Sequence, residues 1–164
     1  MTREEKIEAY KLLNAQLKGL LSTQNYTISN LANASAMLMD FLSDQVFTGF
    51  YLYNGEKLIL APFQGSVSCV EIELGKGVCG ESAEKRESLI VADVNQWKNY
   101  ISCDSRAKSE IVIPLIKNNR LVGVLDLDAA LTDFYDETDQ KYLEEFAKIL
   151  LDLTDFEFFK INNI

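Results

Sequence analysis

Apolar positions follow two different periods along the chain, and the change between them outlines the architecture. Ile7, Tyr10, Leu13, Leu17, Leu20 and Leu21 recur every three or four residues, which predicts an amphipathic helix over 3–21. Ile28, Leu31, Ala32, Leu38, Met39 and Leu42, with the small Ser35 on the same face, predict a second helix over about 29–43. From Gln45 the period falls to two. Residues 45–53 are rich in aromatics and end at Asn54-Gly55, a hairpin turn signal, and 58–63 reads as the partner strand. The segment VSCVEIEL over 67–74 alternates apolar and polar and predicts a further strand, broken by Gly75-Lys76-Gly77. A short helix over about 80–85 and a short strand over 89–92 follow. Residues 93–109 are polar and long for a connection, which predicts a functional loop. The stretches 109–116 and 120–128 form a hairpin about Asn118-Asn119. Asp136 is placed to cap a last helix over 137–154, with Leu143, Phe146, Ala147, Leu150 and Leu151 on one face.

This order predicts an α+β fold: a central antiparallel sheet with the N-terminal and C-terminal helices packed on one face. A length of 164 residues suits a single domain over 1–164, and 48% hydrophobic residues supply its core. The net charge of −9, with no Lys/Arg block, argues against nucleic acid and anionic membrane surfaces as partners. The longest apolar run, 111–116, is far too short to span a membrane. The N-terminal MTREEKIEAYKLL carries charges where a secretion signal needs an apolar stretch. The expectation is a cytoplasmic protein whose cysteines rest as thiols.

Those cysteines are three, Cys69, Cys79 and Cys103, in a chain without histidine. The usual base for a nucleophilic Cys or Ser is therefore missing, which leaves carboxylates, helix ends and other cysteines and points to redox chemistry. The spacing C-x9-C-x23-C lacks the short pairs of structural zinc sites, so no metal is expected. Each cysteine alone is by default a small buried apolar side chain, and Cys69 fits that as an alternating strand residue. Cys103 does not. Its neighbours Ser102, Asp104, Ser105 and Arg106 are polar, and Arg106 and Lys108 nearby would favour its thiolate, making it the candidate nucleophile. Gly75 to Gly80 matches G-x-G-x-x-G, but the following helix is too short and no second βαβ unit exists, so the dinucleotide reading fails. What remains is a Gly-rich entry to a helix, whose N–H groups around Val78 suit a carboxylate or a polarised oxygen. Cys79 lies there, where the helix dipole is expected to favour its thiolate. In LVGVLDLD, a period of two puts Val122, Val124, Asp126 and Asp128 on one face and Leu121, Leu125 and Leu127 on the other. The hairpin brings Glu110 close to both acids. Such a cluster is either a set of solvated strand ends or a pocket whose natural guest is an ammonium group.

The segments TGFYLY, APFQGSVSCVEIELGKGVCG, ISCDSRAKSEIVIPLI and LVGVLDLDA together resemble the GAF-fold free methionine-(R)-sulfoxide reductases, over roughly 30–158. The cysteine spacing with the SEIV and VLDLD blocks is what ordinary GAF sensor domains lack. The resemblance implies a GAF domain, usually dimeric, whose ligand cavity has become an active site needing no bound cofactor. It implies Cys103 as the catalytic cysteine, Cys69 as the thiol that resolves it by disulfide formation, and Cys79 as a third thiol beside the oxygen-binding turn at Val78. It implies that Glu110, Asp126 and Asp128 hold the substrate ammonium, with Glu110 favoured as proton donor, and that Tyr51 belongs to an aromatic wall. Phe47 stands where the family has Trp and would still supply an apolar wall. The implied chemistry runs through a Cys103 sulfenic acid and a Cys69–Cys103 disulfide, reset by thioredoxin or a similar dithiol. A disulfide needs Cα atoms within about 7 Å, so the loop 93–109 must fold over the sheet. Three acids facing one ammonium imply a free amino acid as substrate rather than a peptide. Two alternatives stand beside this reading: a non-catalytic GAF sensor of a small ligand, whose pocket has no need of three spaced cysteines, and a thiol redox switch acting on a partner.

Overall fold

The computed structural model describes residues 2–21 and 26–156. The remaining residues of the expected 1–164 domain, including the end of the resemblance at 157–158, lie outside the described residues. In chain order the elements are α1 (Arg3–Leu21), α2 (Thr27–Phe41), β1 (Gln45–Tyr53), β2 (Lys57–Gly65), β3 (Glu71–Glu73), α3 (Gly77–Lys85), β4 (Leu89–Val91), β5 (Ser109–Lys117), β6 (Arg120–Ala129) and α4 (Glu137–Leu153). The strands form one six-stranded sheet, in the order β3-β2-β1-β6-β5-β4, with every neighbouring pair antiparallel. The β5–β6 hairpin closes through Asn118 and Asn119, both at positive φ, as its two-residue turn requires.

The pleat sends alternate residues to two cores. On one face Phe50, Leu52, Ile111, Ile113, Leu125 and Leu127 meet Tyr10, Leu17, Leu31, Leu38, Phe146 and Leu150 of α1, α2 and α4. The expected layer of N- and C-terminal helices is therefore present. The opposite face carries a smaller core of Phe47, Tyr51, Leu58, Ile72, Val112 and Val124 beneath Val78, Cys79 and Ala83 of α3. Asp136 caps α4 in a reciprocal capping box with Asp139. The buried Asp139 also accepts a 2.7 Å hydrogen bond from Tyr10 Oη and pairs with Lys6, tying α1 to α4.

Four local expectations are corrected. Helix α2 starts at Thr27 and stops at Phe41, because Leu42 is already extended. Its buried stripe is Thr27, Asn30, Leu31, Ala34, Ser35 and Leu38, which leaves Ile28 exposed, as is Leu20 at the end of α1. Strand β3 covers only 71–73 rather than 67–74, so Cys69 is not a strand residue. Its segment is held by other bonds, from Tyr51 Oη to Ser68 Oγ at 2.7 Å and from Tyr51 Oη to the Cys69 carbonyl at 3.2 Å. In β6, Leu115 pairs with Gly123 and Ile116 with Leu121, so Val122 is an extra residue. That bulge reverses the parity: Val122 packs towards the helical core and Leu121 towards the smaller one.

Candidate active site

Strand register builds the floor of the site. Glu110 pairs with Asp128 and Val112 with Asp126, so the three acids project from neighbouring strands towards α3. Glu110 and Asp126 are buried and Asp128 is half-buried. Helix α3 packs closely against the end of β3 because Gly80 has no side chain; a Cβ there would strike the Glu73 carbonyl oxygen. Cys79 Sγ reaches to 3.8 Å from Glu110 Oε1. Gly77, Val78 and Cys79 line the cavity with the first turn of α3, whose N–H groups have no partner within a helix.

The lid is the loop expected to be functional. It carries Cys103 across the sheet to Cys69, to which it is disulfide-bonded with a Cα–Cα distance of 5.3 Å. Arg106 is engaged by Asp104 at 2.9 Å. Under this bridge the cavity has a volume of about 30 Å³. That is the space of about one water molecule, against about 300 Å³ or more for an ordinary ligand pocket.

The electrostatics of the floor are dominated by burial. Glu110 is held well above the usual carboxylate range by burial and then by Asp126 and Asp128. Burial pushes Asp126 up to about 7. Asp128 is raised by burial, with Asp126 and Asp104 adding to it. Cys79 is likewise raised, first by burial and then by Asp126 and Glu110. This corrects the expectation of a helix-favoured thiolate: the half-charge of a helix end is worth about 0.3–1 kcal/mol, less than burial beside three acids. None of the three acids forms an ion pair among the described residues. Among the described residues Asp126 Oδ1 is a buried atom without a hydrogen-bond partner, although the Asp126 carboxylate accepts from the Cys79 thiol and the Glu110 carboxyl. A site of this kind is suited to a cationic group.

The structure brings together Cys69, Cys79, Cys103, Glu110, Asp126, Asp128, Val78 and Tyr51. Phe47 stands one step back, stacked on Tyr51 at 6.1 Å and on Phe63 at 5.2 Å, and does not line the cavity. Ser68, Ile72, Tyr100, Ile101 and Asp104 also line it and were not foreseen. Most of these lie on irregular segments, where no period distinguishes an inward side chain from an outward one.

Residues 34–150 match the family model for the GAF domain, which is the class that the sheet order and helical layer define. A GAF domain-containing protein A of Dictyostelium discoideum is 42% identical, over 92% of this chain and 95% of its own length. A free methionine-R-sulfoxide reductase of Escherichia coli is 36% identical, over 94% of this chain and 95% of its own. The solved free methionine-R-sulfoxide reductase of Neisseria meningitidis, in complex with its substrate, superposes with a TM-score of 0.88 at 37% identity, covering 93% of this chain and 92% of that one. The chain belongs to the GAF-domain free methionine-R-sulfoxide reductase family.

Proposed function

We propose that this protein reduces free methionine (R)-sulfoxide to methionine, with Cys103 as nucleophile and Cys69 as resolving thiol. The observation that carries this reading is the Cys69–Cys103 disulfide beside a buried acid cluster with which no Lys or Arg pairs among the described residues. The substrate ammonium meets Asp126, Asp128 and Glu110, and the first turn of α3 at Val78 offers N–H groups to the carboxylate or the sulfoxide oxygen. The Cys103 thiolate attacks the sulfoxide sulfur. Glu110, which burial keeps protonated, gives its proton to the oxygen. The oxygen ends on Cys103 as a sulfenic acid and methionine leaves. Cys69 then attacks the Cys103 sulfur, water departs and the disulfide forms. A dithiol of the thioredoxin type supplies the two electrons and two protons that restore both thiols. Tyr51 and, behind it, Phe47 form the apolar side of the pocket.

A second copy of the chain is the expected partner in a homodimer, with the exposed Leu12, Leu20, Tyr26 and Ile28 as apolar surface for it to cover. Among the described residues no helix is long and apolar enough to cross a membrane. The thiol cycle suits a reducing compartment such as the cytoplasm.

The test is turnover of the purified protein with thioredoxin and the two sulfoxide epimers. The (R) form of the free amino acid is consumed and the (S) form is not. Cys103→Ser abolishes turnover, whereas Cys69→Ser releases about one equivalent of methionine and then stops. Full turnover by Cys103→Ser, or binding of the sulfoxide without turnover, would overturn the assignment; the second outcome would return the sensor reading.

A further inference from the structure

We propose that Cys79, Glu110 and Asp126 also form a binding site for a thiophilic divalent cation, zinc above all, which occupies the pocket in competition with the substrate ammonium. The competitive part rests on the function proposed above; the binding part does not. One donor atom from each of the three buried residues lies within 4.8 Å of the other two. The Cys79 Sγ to Glu110 Oε1 separation is 3.8 Å. Tetrahedral zinc, with Zn–S of about 2.3 Å and Zn–O of about 2.1 Å, places sulfur and oxygen about 3.6 Å apart. The Cys79–Glu110 pair thus needs to close by about 0.2 Å, and the separations to Asp126, at most 4.8 Å, by no more than about 1.4 Å.

Two independent observations point to a small cation rather than to a chance gathering of acids. Among the described residues Asp126 Oδ1 is buried without a hydrogen-bond partner, Asp126 lines this cavity, and its carboxylate otherwise meets only the Cys79 thiol and the Glu110 carboxyl named for the site. The cavity of about 30 Å³ under the disulfide admits an ion or a water but not an amino acid. On binding, a divalent ion releases to water the protons that burial keeps on the Cys79 thiol and the Glu110 carboxyl. The donor set chooses among metals. Calcium takes about six to eight oxygen ligands and magnesium demands an octahedral oxygen shell, so a thiol with two carboxylates disfavours both. Sulfur with oxygen suits zinc, cobalt or cadmium. Three protein donors leave a fourth position for water or for Asp128, which shares the cavity. Cys79, which has no part in the sulfenic acid and disulfide steps, gains a role here.

The experiment uses the oxidised protein, in which Cys69 and Cys103 are tied together and Cys79 is the free cysteine. Zinc is titrated against a chromophoric chelator, and cobalt(II) serves as the spectroscopic probe. One equivalent binds, cobalt shows a thiolate charge-transfer band, and an excess of magnesium or calcium does not compete. Cys79→Ser and Asp126→Asn, each checked for a cooperative melt, weaken zinc by more than about tenfold, the scale on which even outer-shell partners matter. With the reduced enzyme, zinc raises the apparent KM for methionine sulfoxide and leaves kcat unchanged. Undiminished binding by both variants, or no cobalt–thiolate band, overturns the site; an effect on kcat alone overturns the competition. Zinc binding by a protein without turnover would sink the catalytic reading and leave this one standing, and turnover without zinc binding would do the reverse.

Discussion

Replacing Asp126 by Asn should make the protein more stable at alkaline pH while crippling its proposed activity. Burial raises Asp126 from its ordinary 3.8 to about 7 in the folded chain. Between those values the folded state holds a proton that the unfolded state has released, so stability falls as pH rises. From pH 5 to 7 this is about one proton over two pH units, or about 3 kcal/mol. Asn cannot ionise and escapes this loss. Any fixed penalty for its amide group is the same at both pH values and cancels from the comparison. Glu110 and Asp128 are raised in the same direction, each partly by Asp126, so removing that charge eases them as well. The assay is a pair of thermal melts at pH 5 and pH 8 on the disulfide-bonded, substrate-free proteins. The melting temperature of Asp126→Asn minus that of the native chain should grow by about 6–12 °C between the two. Parallel pH profiles, or a gap that closes towards pH 8, would refute the reasoning. In turnover the sign reverses. An ammonium deprived of a buried partner loses about 3–5 kcal/mol, which is about a hundredfold or more in kcat/KM.

Three further changes probe the frame around the site. Tyr10→Phe removes the hydroxyl that bonds the buried Asp139 and should destabilise by about 1–3 kcal/mol in denaturant titration, with turnover unchanged at low temperature. Gly123→Ala drives a Cβ into the Tyr51 carbonyl between β6 and β1; a loss of about 1–3 kcal/mol is expected, and an unchanged unfolding midpoint would contradict the close approach. Tyr51→Phe removes the hydroxyl that holds Ser68 and the Cys69 carbonyl, so closure of the Cys69–Cys103 bond, followed by acid quenching and thiol mapping, should slow about tenfold.

Much of the scaffold is legible in the chain because local signals agree with the final packing. Helices α1 and α4 lie within a residue of their predicted spans, and the Asp136 cap is where the sequence puts it. Glu110 shares a face with Asp126 and Asp128 only through the extra residue at Val122: from the Lys117–Arg120 pair a strict alternation would set Glu110 opposite Leu127, and the bulge sets it opposite Asp128. Where long-range bonds decide, local reading fails. The alternation in VSCVEIEL predicts a strand, yet Tyr51 and Cys103 hold Ser68 and Cys69 out of the ladder. The extra residue at Val122 leaves no trace in the pattern of valines and leucines. Position at a helix start predicts an acidic Cys79, but its depth, which reverses that prediction, is a property of the whole fold. The acids by themselves specify an ammonium group and no more; the proposed substrate is legible only through the resemblance to the reductase family.

The small volume left beneath the Cys69–Cys103 bridge also sets an order in time. With about 30 Å³ available, the oxidised protein has no place for methionine or its sulfoxide. In the proposed cycle the first product would have to leave before the bridge closes, and the next substrate would wait until the reductant had opened it. Substrate and reductant would then never share the enzyme, and the proposed cycle would be ping-pong, with parallel double-reciprocal plots. In that cycle a surplus of methionine sulfoxide would leave the oxidised form free to meet its dithiol, because the bridge that stores the electrons' absence would also be the bolt on the door.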